Sequence, residues 1–252
     1  MKITSIKSHV LRYELEHELG YSQQYYKNRT AHLVEVETDE GITGWGECFG
    51  PGNIALANKF IIEKVIQPII KGENPTNKEY IWHKVYNLLR DSGQKGMPIQ
   101  ALSGIDIALW DILSKKANLP LYQLIGGKSN NQIPVYGYGM MLQKKPVDQL
   151  IELFQKEAKE IKKKNFKAMK MKIGIGPKDD LKLVKAVRET VGDDYKLMVD
   201  ANHAYNLNDA LYVGRGLDDM NIYWFEEPVA PEDYEGYREL KKKLKTNVAG
   251  GE

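Results

Sequence analysis

Cysteine is almost absent. Cys48 is the single one in 252 residues, which excludes an internal disulfide and fits a cytoplasmic protein. No run approaches the ~18 apolar residues of a membrane span. The N-terminus, Met1-Lys-Ile-Thr-Ser-Ile-Lys, alternates like a strand and lacks the apolar centre of a signal peptide. Charge of one sign is missing as well. Thirty-six basic residues face 34 acidic ones, a net charge of +2, so no bulk field points to nucleic acid or to an anionic membrane. What remains, 42% hydrophobic and 28% charged residues, is the composition of a globular protein with room for one large or two modest domains.

The first half reads as α+β. Ile3–Tyr13 and Thr30–Thr38 alternate with period two, and Asp39-Glu-Gly41 turns into Ile42–Cys48, which together suggest a three-stranded meander. Between the first two strands lies Leu15–Arg29, a polar stretch expected to be a loop. It carries Tyr21, Tyr25 and Tyr26 and reads either as a binding lid or as a surface loop with locally packed tyrosines. Helical spacing follows in Ile54–Ile70, Lys78–Leu89 and Ile99–Ala117, the last with a continuous stripe of Ala101, Ile105, Ala108, Leu109 and Ile112. Gly126-Gly127 marks the exit, and no low-complexity linker follows. The expected division is residues 1–127 and residues 128–252.

The second half repeats. After a first strand at Ile133–Met141 and a helix at Lys145–Lys163, four short apolar segments each bear charge: Phe166–Ile173, Lys196–Asp200, Ile222–Glu226 and Thr246–Glu252. The steps from Lys172 to Asp200, Glu226 and Glu252 are 28, 26 and 26 residues, the length of a strand, helix and return loop. Helical patterning fills the gaps, in Asp179–Val191, Asn206–Leu217 and Pro231–Leu244. Charged side chains therefore recur at the carboxyl ends of successive parallel strands, where a β/α barrel places its catalytic groups.

Residues two apart on a strand share a face, so Lys170 and Lys172 point together, away from Met169, Met171 and Ile173. A like charge nearby disfavours the ammonium form, which would let one lysine act as a base. Lys172 is the candidate base and Lys170 its tuner and the partner of a substrate carboxylate. The alternative is that both lysines sit at a wet barrel mouth and neutralise nearby acids. Asp200, Glu226 and Glu252 would converge from three adjacent strands. Three carboxylates crowd together only when neutralised, and an oxygen-only set suits Mg²⁺. Asn202, two beyond Asp200, is a candidate for a substrate hydrogen bond, with a turn role as the alternative. Glu227 should face the other way and reads as structural. His203, just past the strand end, is a candidate acid or substrate contact.

The motifs Lys170-Met-Lys172-Ile-Gly, Val199-Asp-Ala-Asn202, Trp224-Phe-Glu-Glu-Pro228, Asp233-Tyr-Glu-Gly236 and Gly250-Gly-Glu252, with Gly44-Trp-Gly-Glu47 and Ala101–Gly127 before them, resemble the enolase superfamily. The likeness is to its mandelate racemase and muconate lactonizing enzyme branch, and it covers essentially the whole chain. It implies an α+β capping domain followed by a modified TIM β/α barrel. Enzymes of this superfamily use a Lys or His base with Mg²⁺ stabilising an enediolate. The resemblance carries the base role to Lys172, the first lysine of the motif to Lys170, and the metal ligands to Asp200, Glu226 and Glu252. Glutamate at the third ligand position looks more like the racemase and acid-sugar dehydratase group. The tyrosine-rich stretch matches the capping-domain loop that closes on substrate.

The chemistry implied is removal of a proton α to a carboxylate. Loss of a β-hydroxyl from a sugar acid would give a 2-keto-3-deoxy acid, the favoured outcome. Racemisation, epimerisation or lactonization are alternatives. The expected partner is a small carboxylate substrate, within a homo-oligomer and without nucleic acid or membrane. The sequence reaches the fifth barrel strand at Glu252, so a partial barrel is expected. Residues 1–252 alone are expected to be an inactive fragment, because an open barrel exposes a strand edge and the inner face.

Overall fold

The computed structural model describes residues 1–251; Glu252, the expected third metal ligand, lies outside them. The chain divides into two compact units. One holds Met1–Leu15 and Asn28–Asn131, and the other holds Glu16–Lys27 and the residues from Gln132 on.

In the first unit β1 (Ile3–Tyr21), β2 (Gln24–Thr38) and β3 (Thr43–Cys48) form a sheet in that order. β2 and β3 are antiparallel, with Val34 opposite Gly46 and Val36 opposite Gly44. The helices are α1 (Ile54–Phe60), which runs through a π-helical turn (Ile61–Ile66) into α2 (Gln67–Ile70), then α3 (Lys78–Leu89), α4 (Met97–Ala117) and α5 (Leu121–Leu124). The apolar stripe on α4 is buried as expected. It packs on β3 closely enough that a Cβ on Gly46 would lie 2.0 Å from the Gly104 carbonyl oxygen. Only glycine permits that approach.

The expected loop at Leu15–Arg29 is not a loop. β1 continues to Tyr21 and β2 starts at Gln24, so the hairpin turns on Ser22-Gln23 alone. The tip is polar on both faces and lacks the alternation that marks a half-buried strand. No Asn-Gly or Asp-Gly pair signals its turn. Backbone hydrogen bonds hold it in the second unit: Gly20 N–H donates to Leu142 at 2.7 Å and Leu142 N–H donates to Gly20 at 3.0 Å.

The second unit is a parallel sheet of five strands, β4 (Gly137–Tyr138), β5 (Ala168–Lys172), β6 (Lys196–Asp200), β7 (Trp224–Glu226) and β8 (Asn247–Ala249), in chain order. The crossovers are α6 (Val147–Lys163), α7 (Pro177–Val191), α8 (Leu207–Asp219) and α9 (Tyr234–Lys243). This is the strand–helix alternation of part of a β/α barrel. Met169, Met171, Leu197, Val199 and Phe225 point to the helices and are fully buried with Phe154, Val184 and Val213. The first strand is shorter than the expected Ile133–Met141: only Gly137 and Tyr138 lie in ladder register with β5, and beyond them Lys172 N–H donates to the Met140 carbonyl at 3.2 Å. Among the described residues no helix is long and apolar enough to cross a membrane.

Candidate active site

The sheet register assembles the site. Lys172 pairs with Asp200, Asp200 with Glu226, and Glu226 with Ala249. One row of side chains thus crosses four strands at their carboxyl ends. Two residues back, Tyr138, Lys170, Met198 and Trp224 form a second row on the same face. Beyond the strands the ladder goes on: Ile173 N–H donates to Asp200, Ala201 to Glu226 and Glu227 to Ala249, each at 2.9 Å.

Charges in and between the two rows are paired. Lys172 Nζ donates to Asp200 Oδ2 at 2.7 Å and also to Asn202 Oδ1. Lys170 Nζ bridges two acids, donating to Glu226 Oε1 at 2.5 Å and lying 3.2 Å from Asp200 Oδ2. Glu226 Oε2 accepts from the Trp224 indole at 2.9 Å. Asp200 Oδ1 accepts from Asn202 N–H at 3.0 Å. Both lysines and Asp200 are buried.

The Lys170 amine is held well above the ordinary lysine range. Burial pulls it down, but the hydrogen bond that Lys170 donates to Glu226 and the charges of Asp200 and Glu226 outweigh burial. Asp200 is driven the other way. Burial would raise its carboxyl, yet the Lys172 hydrogen bond, with the charges of Lys172 and Lys170, holds it below the usual carboxylate range. The Tyr237 phenol on α9 is pushed up to about 12, first by burial and then by Glu227, Asp200, Asp233 and Glu226.

Asn202 and His203 follow the strand in left-handed backbone, at φ +43° and +52°. That geometry turns the Asn202 side chain onto Lys172. It leaves His203 facing Glu227, whose Oε2 is 3.6 Å from His203 Nδ1 and 3.5 Å from Asn202 Nδ2. Glu227 is itself left-handed (φ +43°) and buried, so it departs from the strict strand that would have sent it among the helices.

The three tyrosines of the hairpin tip separate. Tyr21 lies with its ring centroid 6.0 Å from Lys172 Nζ. Tyr25 packs on the apolar core beneath Lys144. Tyr26, half-buried, is the next residue on the strand and points to the opposite face from Tyr25. Sequence reasoning missed Tyr136 and Tyr138. Their rings lie 5.8 and 5.6 Å from Lys170 Nζ, and Tyr138 also lies 5.8 Å from Lys172 Nζ, within cation–π range. Trp224 meets Tyr136 edge-on. The signal was available, since Tyr136 and Tyr138 have the same two-residue spacing as Lys170 and Lys172.

Among the described residues no three acid, histidine or cysteine side chains gather to hold a metal. Asp200 and Glu226 nevertheless fit one. They are neighbours in register, offer oxygen only, and already share one cation, the Lys170 ammonium.

Residues 16–126 match the family described as mandelate racemase / muconate lactonizing enzyme, N-terminal domain, and residues 153–252 match that described as enolase C-terminal domain-like. A racemase from Streptomyces coelicolor A3(2), solved with bound magnesium, superposes with a TM-score of 0.90 at 30% identity, over 99% of this chain and 69% of that one. The chain belongs to the enolase superfamily. Within that superfamily it is 39% identical to D-galactarolactone cycloisomerase of Agrobacterium fabrum, over all of its own length and 65% of the relative's. It is 36% identical to arabinonate dehydratase of Saccharolobus solfataricus, over 87% of its length and 58% of the relative's. It thus spans less than two thirds of these curated relatives, which carry out cycloisomerisation and dehydration on one superfamily scaffold.

Proposed function

We propose that this chain carries the proton-abstracting part of an Mg²⁺-dependent acid-sugar dehydratase. The observation that supports it most is the row of Lys172, Asp200 and Glu226 at adjoining strand ends, with Lys170 bridging the two acids. Lys172 is the base for the proton α to the substrate carboxylate, and Asn202 orients its amine. Asp200 and Glu226, with Glu252, are the proposed Mg²⁺ ligands. A bound Mg²⁺ supplies Lewis-acid neutralisation of charge developing on the substrate carboxylate. Lys170, kept protonated by the acids around it, donates hydrogen bonds to the same carboxylate. The β-hydroxyl then leaves as water, the proton taken by Lys172 balancing the hydroxide lost, and the resulting enol moves its hydroxyl proton through solvent to C3 to give a 2-keto-3-deoxy acid. Tyr21, Tyr136, Tyr138 and Trp224 supply stacking faces and hydroxyls suited to a polyhydroxylated acid.

The test is a panel of sugar acids with Mg²⁺, followed for keto-acid formation and for solvent deuterium at the α-carbon. The chain extended to full length is expected to form keto acid from at least one of them, whereas residues 1–252 alone are expected to form none. Lys172→Ala should abolish both signals, and Glu226→Gln should weaken Mg²⁺ binding by calorimetry while the protein stays folded. Deuterium uptake without keto acid would replace dehydration with epimerisation. Normal exchange in Lys172→Ala would remove Lys172 as the base.

A further inference from the structure

Asp180, on the first turn of α7, is fully buried, and its carboxylate is turned into the loop that leaves β5. Its Oδ1 accepts from Gly174 N–H at 2.8 Å and Ile175 N–H at 3.1 Å, and its Oδ2 from Gly176 N–H at 2.9 Å. Three successive amides thus cradle one carboxylate. Gly174 (φ +113°) and Gly176 (φ +142°) supply the backbone that aims them inward. The fourth donor comes from a different loop. Tyr205 Oη donates to Asp180 Oδ2 at 2.7 Å, while its ring packs edge-on against Phe225 and its own N–H donates to Pro228.

These two residues touch none of the site's charged groups, yet each sits a few residues from one. Gly174 is two beyond Lys172, and Tyr205 is three beyond Asn202. The hydrogen bond between them ties the loop after β5 to the loop after β6. The second loop is held from its other side too, since Ser22 Oγ donates to the Ala201 carbonyl at 2.8 Å and the Asn202 carbonyl at 2.9 Å. All three segments meet at Gly174, where a Cβ would lie 2.6 Å from Ser22 Cβ and 2.9 Å from Ala204 Cβ.

We propose that Asp180 and Tyr205 are positioning residues, whose hydrogen bond sets the spacing between the Lys172 ammonium and the Asn202 amide that receives it. A lysine has four rotatable side-chain bonds and finds one position only if its partner is fixed. Asn202 cannot fix itself. It lies in left-handed backbone outside the strand, and its place is decided by what anchors residues 201–205. The catalytic consequence rests on the function proposed above; the placement of Lys172 and Asn202 does not.

The experiment separates the two. Tyr205→Phe keeps the ring on Phe225 and removes only the hydroxyl, and Asp180→Asn keeps the volume but turns an amide toward N–H donors. Arg188→Lys serves as a stability control. Arg188 lies farther along α7, is buried, and donates to the carbonyls of Gly192, Tyr195, Met220 and Asn221, away from the site. NMR of protein labelled at Lys Nζ and Asn Nδ2 is expected to show the Lys172 and Asn202 signals displaced in Tyr205→Phe and unmoved in Arg188→Lys. Turnover of the acid identified in the panel is expected to fall about 10- to 100-fold in kcat with KM within about two-fold, as for a misplaced group that does not bind substrate. Tyr205→Phe with wild-type Lys172 and Asn202 signals, and only a lowered melting temperature like that of Arg188→Lys, would overturn the proposal. Should Asp180→Asn fail to fold, Tyr205→Phe decides alone. Should the unaltered chain, extended to full length, turn over no acid, the functional reading falls and the NMR comparison still decides the placement.

Discussion

Lys170 is the residue on which the charge balance of the site turns. Asp200 and Glu226 are adjacent, one buried and the other 24% exposed, and the Lys170 ammonium lies between them. Removing one partner of such a group leaves uncompensated charge, typically at a cost of about 3 kcal/mol. Lys170→Met is therefore expected to lower unfolding free energy by about that amount in urea at pH 7. A cation that binds the vacated acids would offset the loss, by about 2.7 kcal/mol at a hundred times its Kd. Urea titrations with and without Mg²⁺ check both parts, and a variant as stable as the parent would show that the bridge contributes nothing. The sign of the pH effect follows from the raised Lys170 value. Its contribution is complete below the unfolded lysine's 10.5 and is lost as pH rises beyond it.

At the scale of elements, the hairpin tip and the loops after β5 and β6 form one junction, and Gly174 is its narrowest point. A side chain there would be strained by φ +113° and would meet Ser22 and Ala204. Backbone strain of this kind costs about 1–3 kcal/mol before any clash is counted. Gly174→Ala is expected to lower the denaturation midpoint accordingly and to loosen the tip, with faster amide exchange at Gly20, whose N–H bonds to Leu142. Unchanged exchange at Gly20 would mean that the tip is held without this junction. The tip's role also explains why Tyr21, and not Tyr25, approaches Lys172. Successive residues of a strand face opposite ways, and the side that carries Tyr25 is taken by the apolar core.

On the scale of the molecule, the two units have separate cores and separate sensitivities. His32 sits on β2 in the first unit, 1% exposed, with neither ring nitrogen partnered. Burial first, and then Lys59, hold its imidazole below the ordinary 6.5, against the pull of Glu63. A histidine depressed in the folded state stabilises the fold fully above its unfolded value. That stability is lost as pH falls through the folded value. The first unit is therefore expected to weaken below about pH 6.5. Three of the four tryptophans, Trp45, Trp82 and Trp110, lie in it, so thermal melts followed by tryptophan fluorescence report on it. His32→Leu should flatten the dependence of melting temperature on pH between about 5 and 7; the same slope in the variant would place the acid sensitivity elsewhere.

The sequence by itself determined which side chains share a face and a row. Strand periodicity is two, so Lys170 and Lys172 had to point together. The near-equal steps to Asp200 and Glu226 match one β/α repeat, so these groups had to reach the same end of the sheet. Both facts are local or periodic, and both survive in the register. The tertiary structure alone decided what each group meets there. Lys170, read from the sequence as the tuner of Lys172, is held by two carboxylates brought in from β6 and β7. The polar stretch at Leu15–Arg29 becomes strand because its hydrogen bonds come from its hairpin partner and from Leu142, not from its own pattern. Asp180 and Tyr205 are 25 residues apart, and Ser22 and Ala201 are 179 apart. No period links such pairs. They become visible only when the sheet brings the loops together, because a hydrogen bond depends on distance through space and not along the chain.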